Sequence, residues 1–351
     1  MSDYQISPVY PGDKRTLAQV EALLEQEGIR LDPHLDYTCV MFDENYKAIA
    51  TGSCFGNTLR CMAVSSEHQG EALMNEIVSH LMQYEYERGY IHLFLYTKCS
   101  SAKFFRDMGF HEIARVEGLV VFMERETDGF RKYLEGLEKQ PDGSGRVAAI
   151  VMNANPFTLG HRHLVEKAAA ENDWVHLFMV SEDASYFPYA VRKRLIEEGT
   201  ADLKHIICHD SGPYIISNAT FPSYFQKDSA AVIESHARLD LAVFAWIAAH
   251  LGITARYVGE EPTSRVTRRY NEIMAEELPK AGIACRIIPR STTKGGVTVS
   301  ASTVRRALHD GDWDTVRSMV PEPTWQFLQS AEAQPIIERI RKEKAADVVH
   351  Y

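Results

Sequence analysis

Short apolar runs alternate with amphipathic stretches through the second half of the chain. Val147–Met152, Val175–Val180, Ile206–Cys208, Ala255–Val258 and Ile283–Ile288 are too short for helices and read as buried strands. Between them, 161–171, 189–200, 230–250 and 266–278 read as helices. Such alternation predicts a parallel sheet with helices on both faces, which takes its ligands at the carboxyl ends of the strands. From Asp312 the chain reads as a helical tail, broken at Pro321 and Pro323, that packs on the sheet domain.

The first part mixes its elements differently. Tyr37–Phe42 and Ala48–Cys54 read as a hairpin, and Cys61–Val64 and Ile91–Tyr96 as further strands. Leu73, Ile77, Leu81 and Tyr84 recur at steps of four, four and three, the stripe of an amphipathic helix. Ser101–Met108 reads as another helix, ending before Gly109-Phe110, and Gly129–Lys139 as a connector helix. The polar hexapeptide Gln140-Pro-Asp-Gly-Ser-Gly145 is the strongest boundary signal. A chain of 351 residues suits two domains. The expected division is 1–127, a connector 128–145, and 146–351. The predicted fold class is α/β: an α+β first domain followed by a Rossmann-like parallel sheet.

Composition narrows the function classes. A hydrophobic share of 45% and a charged share of 25% are those of a globular protein. A net charge of −10 argues against a nucleic-acid partner, which needs a basic footprint. No apolar run approaches the ~20 residues of a membrane span and no signal-peptide core is present, so a cytoplasmic protein with no membrane partner is expected. The six cysteines form no Cys-x-x-Cys pair, which points to buried thiols in a reducing compartment and to no metal site.

The candidate chemistry lies where the strand Val147–Met152 ends. Asn153-Ala-Asn-Pro-Phe-Thr-Leu-Gly-His161 breaks the strand and opens a helix near Gly160-His161. A glycine lets a phosphate approach the backbone, and a helix N-terminus offers unpaired N–H groups and partial positive charge. His161 adds a donor able to carry a full positive charge, while His163 is read onto the apolar helix face. A second element, Val299-Ser-Ala-Ser-Thr-Val-Arg305, supplies Ser300 or Ser302 as helix cap, with Arg305 near the same turn to fork onto phosphate oxygens. Arg265, Arg268 and Arg269, like Arg192 and Arg194, read as either solvated or turned toward phosphate. Glu260 and Glu261 read equally as a solvated turn or as binding groups.

The two elements, in that order and context, resemble the HxGH nucleotidyltransferase superfamily. The resemblance implies that His161 stabilises charge on the α-phosphoryl group and that the Thr158 hydroxyl replaces a first histidine. It also implies that Asn153, Asn155, Pro156 and Phe157 form the phosphate loop with Gly160, that Ser300, Ala301, Ser302 and Arg305 face the β- and γ-phosphates, and that Gly259 and Glu260 flank adenine. Longer phrases, Met152–Arg162, Glu198–Asp202, Val258–Pro262 and Val266–Asn271, make nearly the whole chain resemble the citrate lyase ligase family. Val64–Leu73, with Gln69, Gly70 and Ala72, resembles the pyrophosphate turn of GNAT acetyltransferases. Phe105 stands where many of those carry tyrosine, and Ala72 replaces a usual glycine. The domain reads either as one that holds a coenzyme A-like arm without transferring acetyl from coenzyme A or as a scaffold that keeps only the fold.

The implied activity is a ligase. Acetate attacks the α-phosphorus of ATP, pyrophosphate leaves, and a thiol then attacks the acetyl-adenylate, releasing AMP. The thiol would be the phosphoribosyl-dephospho-coenzyme A-type arm of the citrate lyase acyl-carrier subunit, whose acetylation activates citrate lyase. Mg²⁺ is expected on the phosphates. The alternative is an adenylyltransferase joining AMP to a phosphate acceptor such as phosphopantetheine or a mononucleotide.

Overall fold

The run Val147–Met152 forms a strand buried along nearly its whole length, as small and β-branched residues do when helices cover both faces of a sheet. The computed structural model describes residues 4–344 except 34, 71, 142–144, 184, 216–228, 262–264 and 293–295. The chain makes two compact units, Met1–Lys132 with Thr220–Ala242, and Tyr133–Ala219 with Val243–Tyr351.

In chain order the first unit holds β1 (Ile6–Pro8), α1 (Lys14–Gln26), β2 (Tyr37–Phe42), β3 (Ala48–Phe55), β4 (Thr58–Val64), α2 (Leu73–Glu87), β5 (Phe94–Thr97), α3 (Ala102–Asp107), β6 (His111–Val116) and β7 (Val120–Glu124). They build a mixed seven-stranded sheet of order β1-β2-β3-β4-β5-β7-β6, in which only β4 and β5 are parallel neighbours. Leu73, Ile77 and Leu81 of α2 are buried against this sheet, and Tyr84 stacks on Tyr37 at 3.9 Å. The parallel pair is in register at Thr58–Phe94 and Leu59–Leu95. Both strands continue further, and a cavity of about 660 Å³ is lined by their ends, Met62–Val64 and Tyr96–Thr97. The strand expected from Ile91 starts only at Phe94, and Ile91 is exposed. The elements β1, α1, β6 and β7 were not read from the pattern. β1 is three residues long, and β6 carries an exposed polar start that hides its alternation.

The connector helix α4 (Gly129–Gly136) ends short of Lys139. There follow β8 (Val147–Met152), α5 (Leu159–Glu171), β9 (Trp174–Met179), α6 (Tyr189–Thr200), β10 (Ile206–Asp210), α7 (Ser229–Leu251), β11 (Ala255–Gly259), α8 (Arg265–Glu277), β12 (Ala284–Ile288), α9 (Ala301–Asp310), α10 (Trp313–Met319), α11 (Glu322–Leu328) and α12 (Gln334–Lys342). The five strands are all parallel, in the order β10-β9-β8-β11-β12. Strand order reverses between β8 and β11, so the crevice at their carboxyl ends is where an open α/β sheet binds ligands. Val316, Met319, Phe327, Leu328, Ile337 and Ile340 of the tail join the same apolar core as Ile150 and Leu177. Pro321 caps α11 and Pro323 lies in its first turn, so these prolines start a helix instead of only interrupting one. Gln140, expected in a solvated linker, is buried: its Nε2 donates to Leu251 O at 3.1 Å and its Oε1 faces His176 Nε2 at 3.1 Å. Among the described residues no helix is long and apolar enough to cross a membrane.

Candidate active site

Asn153–Phe157 carries the chain from β8 to α5 at the reversal point, with Ala154 at φ +49° and a cis Asn155–Pro156 bond. Thr158 caps α5: the His161 N–H donates to its Oγ1 at 3.4 Å, and the Thr158 N–H donates to His161 Nδ1 at 3.1 Å. The imidazole thus takes the third-residue role of a capping box. Because a backbone N–H occupies Nδ1, the ring proton sits on Nε2, which is left as a donor. Burial, followed by the charges of Arg290 and Arg305, pushes His161 down to about 4. With no anion beside it, the histidine is therefore held as a neutral donor at pH 7.

Thr158 is 1% exposed, and its Oγ1 lies 2.9 Å from His161 Nδ1. Its hydroxyl holds the imidazole. Phe157, expected to line the phosphate loop, belongs to the core. It is fully buried, stacks near His161, and a Cβ on Gly199 would come within 2.5 Å of its ring. Pro156 is also buried. His163, read onto the apolar face of α5, is exposed.

Gly160 has a different reason to lack a side chain than the one the sequence suggested. A Cβ there would sit 3.0 Å from Val299 O and 3.6 Å from Val299 Cγ1, so the glycine lets the start of α5 lie against the segment entering α9. Ser300, and not Ser302, caps α9, accepting from Thr303 N at 3.0 Å. Its Oγ also lies 2.9 Å from Ser302 Oγ and 2.8 Å from Thr303 Oγ1, so three hydroxyls cluster at that helix start, beside Ala301. Arg305, expected on the outer phosphates, is 2% exposed, and its Nη1 donates to Asn155 O at 2.6 Å. The guanidinium braces the loop from beneath, and burial lowers its pKa to about 10. Asn155 is itself buried; its Oδ1 accepts from Phe187 N at 3.1 Å, while Nδ2 has no partner among the described residues. A buried donor left unpaired is costly unless a ligand meets it.

Gly259 ends β11, and a Cβ there would touch nothing within 4 Å, which leaves room against the backbone. Glu260 is exposed, and its N–H donates to Ile288 O at 2.8 Å. Arg290, which no motif flagged, follows β12, donates from Nε to Glu260 O at 2.6 Å and pairs with Glu261. It lay in an unpatterned stretch, and only the fold places its charge near His161. Arg268 donates to Glu261 O at 3.5 Å and Arg269 pairs with Glu272, while the Arg265 side chain lies outside the described residues. Arg194 pairs with Glu332 at the surface.

In the first unit, Gln69, Gly70 and Ala72 line the cavity between the ends of β4 and β5, together with Ser101 and Phe105. Gly70 has φ +102° and Ala72 has φ +59°, the left-handed conformation that glycine adopts at less cost. Among the described residues no group of three His, Cys, Asp or Glu side chains is placed to hold a metal ion.

Residues 147–328 match the family described as Citrate lyase ligase C-terminal domain. The citrate (pro-3S)-lyase ligase of Escherichia coli is 36% identical over 340 residues, covering 95% of each chain. That of Klebsiella pneumoniae is 38% identical over 328 residues, 92% of this chain and 95% of the relative. Among solved structures, a GNAT-family acetyltransferase from Staphylococcus aureus aligns with 35% of this chain and 98% of its own, at 13% identity and TM-score 0.30. The ribosomal-protein-S18-alanine N-acetyltransferase of Escherichia coli aligns with 34% and 92%, at 15% identity and TM-score 0.28.

Proposed function

The chain belongs to the citrate lyase ligase family and is a ligase, and from that premise we propose that its parallel-sheet unit makes acetyl-adenylate for the thiol arm of the citrate lyase acyl carrier. One observation carries the assignment of the site. The loop after β8 and the start of α9 are in contact, Gly160 against Val299 and Arg305 on Asn155, which supports reading the two motifs as parts of one phosphate site.

ATP lies with its adenine against the open backbone at Gly259 and its triphosphate between the N-termini of α5 and α9. Two helix starts and the Ser300–Ser302–Thr303 hydroxyls stabilise the leaving pyrophosphate. A carboxylate oxygen of acetate attacks the α-phosphorus in line, the bond to the β-phosphate bridging oxygen breaks, and pyrophosphate leaves. His161 Nε2–H donates to the α-phosphoryl oxygens as charge grows on them. The carrier thiolate then attacks the acetyl carbonyl, forming the thioester and expelling AMP. Much of the catalysis is positioning and charge stabilisation. Mg²⁺ bound with ATP would neutralise phosphate charge, held by phosphate oxygens and water instead of a protein cage.

The first unit's cavity is proposed to take the carrier's thiol-bearing arm, with Gln69, Gly70 and Ala72 facing its pyrophosphate. Phe105 lacks the hydroxyl of an acid and is buried at the cavity wall, which supports holding the arm over transferring acetyl from coenzyme A.

The test is to incubate the protein with ATP, Mg²⁺, acetate and the thiol-bearing carrier, then weigh the carrier. A gain of one acetyl group, with AMP released, is expected. A gain of AMP without need for acetate identifies an adenylyltransferase instead. His161→Ala should lower acetate-dependent ATP–pyrophosphate exchange about 10²–10³-fold, the usual loss for one transition-state donor.

A further inference from the structure

Arg192 is read from the sequence as a surface arginine or a phosphate ligand, and in the structure it is neither. It is fully buried, on the same face of α6 as Leu195, Ile196 and Gly199. Taking a guanidinium out of water is costly unless its donors are met. Here they are met by three separate segments. Nε donates to Phe187 O at 2.9 Å. Nη1 lies 2.7 Å from Val180 O, 3.0 Å from Asn153 O and 2.7 Å from Asn153 Oδ1. Nη2 donates to Glu182 O. One rigid plane therefore ties together the residues leaving β8, those leaving β9 and those entering α6.

The ties close on the phosphate loop. Arg192 holds Asn153 directly and Phe187 through its carbonyl, while the Phe187 N–H holds Asn155 Oδ1. Arg305 in turn donates to the Asn155 carbonyl. Three residues further on stands Thr158, whose cap fixes the ring of His161. A lysine could keep the charge but not this fork, because its three donors radiate from one point.

We propose that Arg192 is a positioning residue for adenylation: by pinning Asn153 and, through Phe187, Asn155, it sets the loop that aims His161 Nε2 at the α-phosphorus. Arg192 touches no substrate in this role. The inference rests on the ligase reading given above.

The full-length protein tests it through acetate-dependent exchange of labelled pyrophosphate into ATP, with thermal melting and near-ultraviolet circular dichroism as measures of folding. Arg192→Lys should lower kcat about 10²-fold, the cost of a displacement of roughly 1 Å at a reacting group, while KM for ATP stays within about threefold. Asn153 is exposed, so Asn153→Ala removes the Oδ1 acceptor of Arg192, together with the Nδ2 bond to Ser185 Oγ at 3.0 Å, without disturbing the core, and it should lower kcat about tenfold. The double variant should match Arg192→Lys alone, because the contact has already been lost. Folded Arg192→Lys with kcat near wild type, or losses that multiply in the double variant, would overturn the proposal. So would Asn153→Ala with unchanged kcat, a result that stands even where Arg192→Lys does not fold. Absence of exchange in the wild-type protein overturns the ligase reading itself, and is told apart by needing no variant.

Discussion

At the scale of single residues, the site depends on side chains that act on one another before they act on a ligand. Thr158 shows this most directly, since its Oγ1 and N–H both engage His161. Thr158→Ala should cost about 1 kcal/mol of stability as a lost helix cap, and should lower exchange because the imidazole is freed to turn. Thr158→Ser keeps the hydroxyl and should restore both. Melting temperature and exchange rate check the pair, and an alanine variant with wild-type kcat would remove the histidine-orienting role. Gly160→Ala places a Cβ 3.0 Å from a backbone oxygen that cannot rotate away. It should separate the two phosphate corners and lower kcat at least tenfold, a loss that exchange kinetics would reveal. The sequence disclosed which residues form these corners, because the helix-start pattern is local. It did not disclose that Thr158, Phe157 and Arg305 would be buried, since burial depends on partners such as Gly199 and Tyr186 far along the chain. Arg192 left a fainter trace: it stands three and four residues before Leu195 and Ile196, on an apolar stripe where an arginine needs a reason.

At the scale of elements, the parallel strands were legible because each is a compact apolar run bounded by polar turns. The short β1 and the half-exposed β6 were not, since their partners, β2 and β7, supply the order that their own residues lack. The pairing of β9 with β10 also hides a feature that composition cannot show. His176 and His209 are buried side by side, Nδ1 to Nε2 at 2.7 Å, with Phe178 stacked on the second ring. Burial holds both down to about 4, from an ordinary value of 6.5. The sign follows from where protons bind. Below pH 6.5 the unfolded chain takes up protons that the native pair refuses, so stability is retained above about pH 7 and falls as pH drops from 6.5 toward 4. Melting temperature should therefore decline between pH 7 and pH 5. His209→Gln, which keeps a polar partner for His176 but titrates nothing, should make that decline shallower. Equal slopes for the two proteins would show that the pair does not titrate as described.

At the scale of the whole molecule, two units of different build are proposed to carry two separable tasks. Both corners proposed for phosphate, and every residue argued to act in adenylation, belong to the parallel-sheet unit. The cavity between β4 and β5 is built entirely from residues of the first unit. If the cavity takes the carrier's arm, a block there must spare the first half-reaction and harm only the second. Ser101→Trp fills the cavity from the start of α3, with a residue that belongs to the first unit. Acetate-dependent pyrophosphate exchange should then stay at its wild-type rate, since on the proposed reading ATP and acetate bind in the other unit. The KM for the carrier in complete turnover should rise by roughly tenfold or more, because an indole occupies space the arm needs. Loss of exchange in this variant would show that the cavity serves adenylation after all. An unchanged carrier KM would leave the cavity outside the reaction, and the arm would then have to reach the acetyl-adenylate by a path that the first unit does not line.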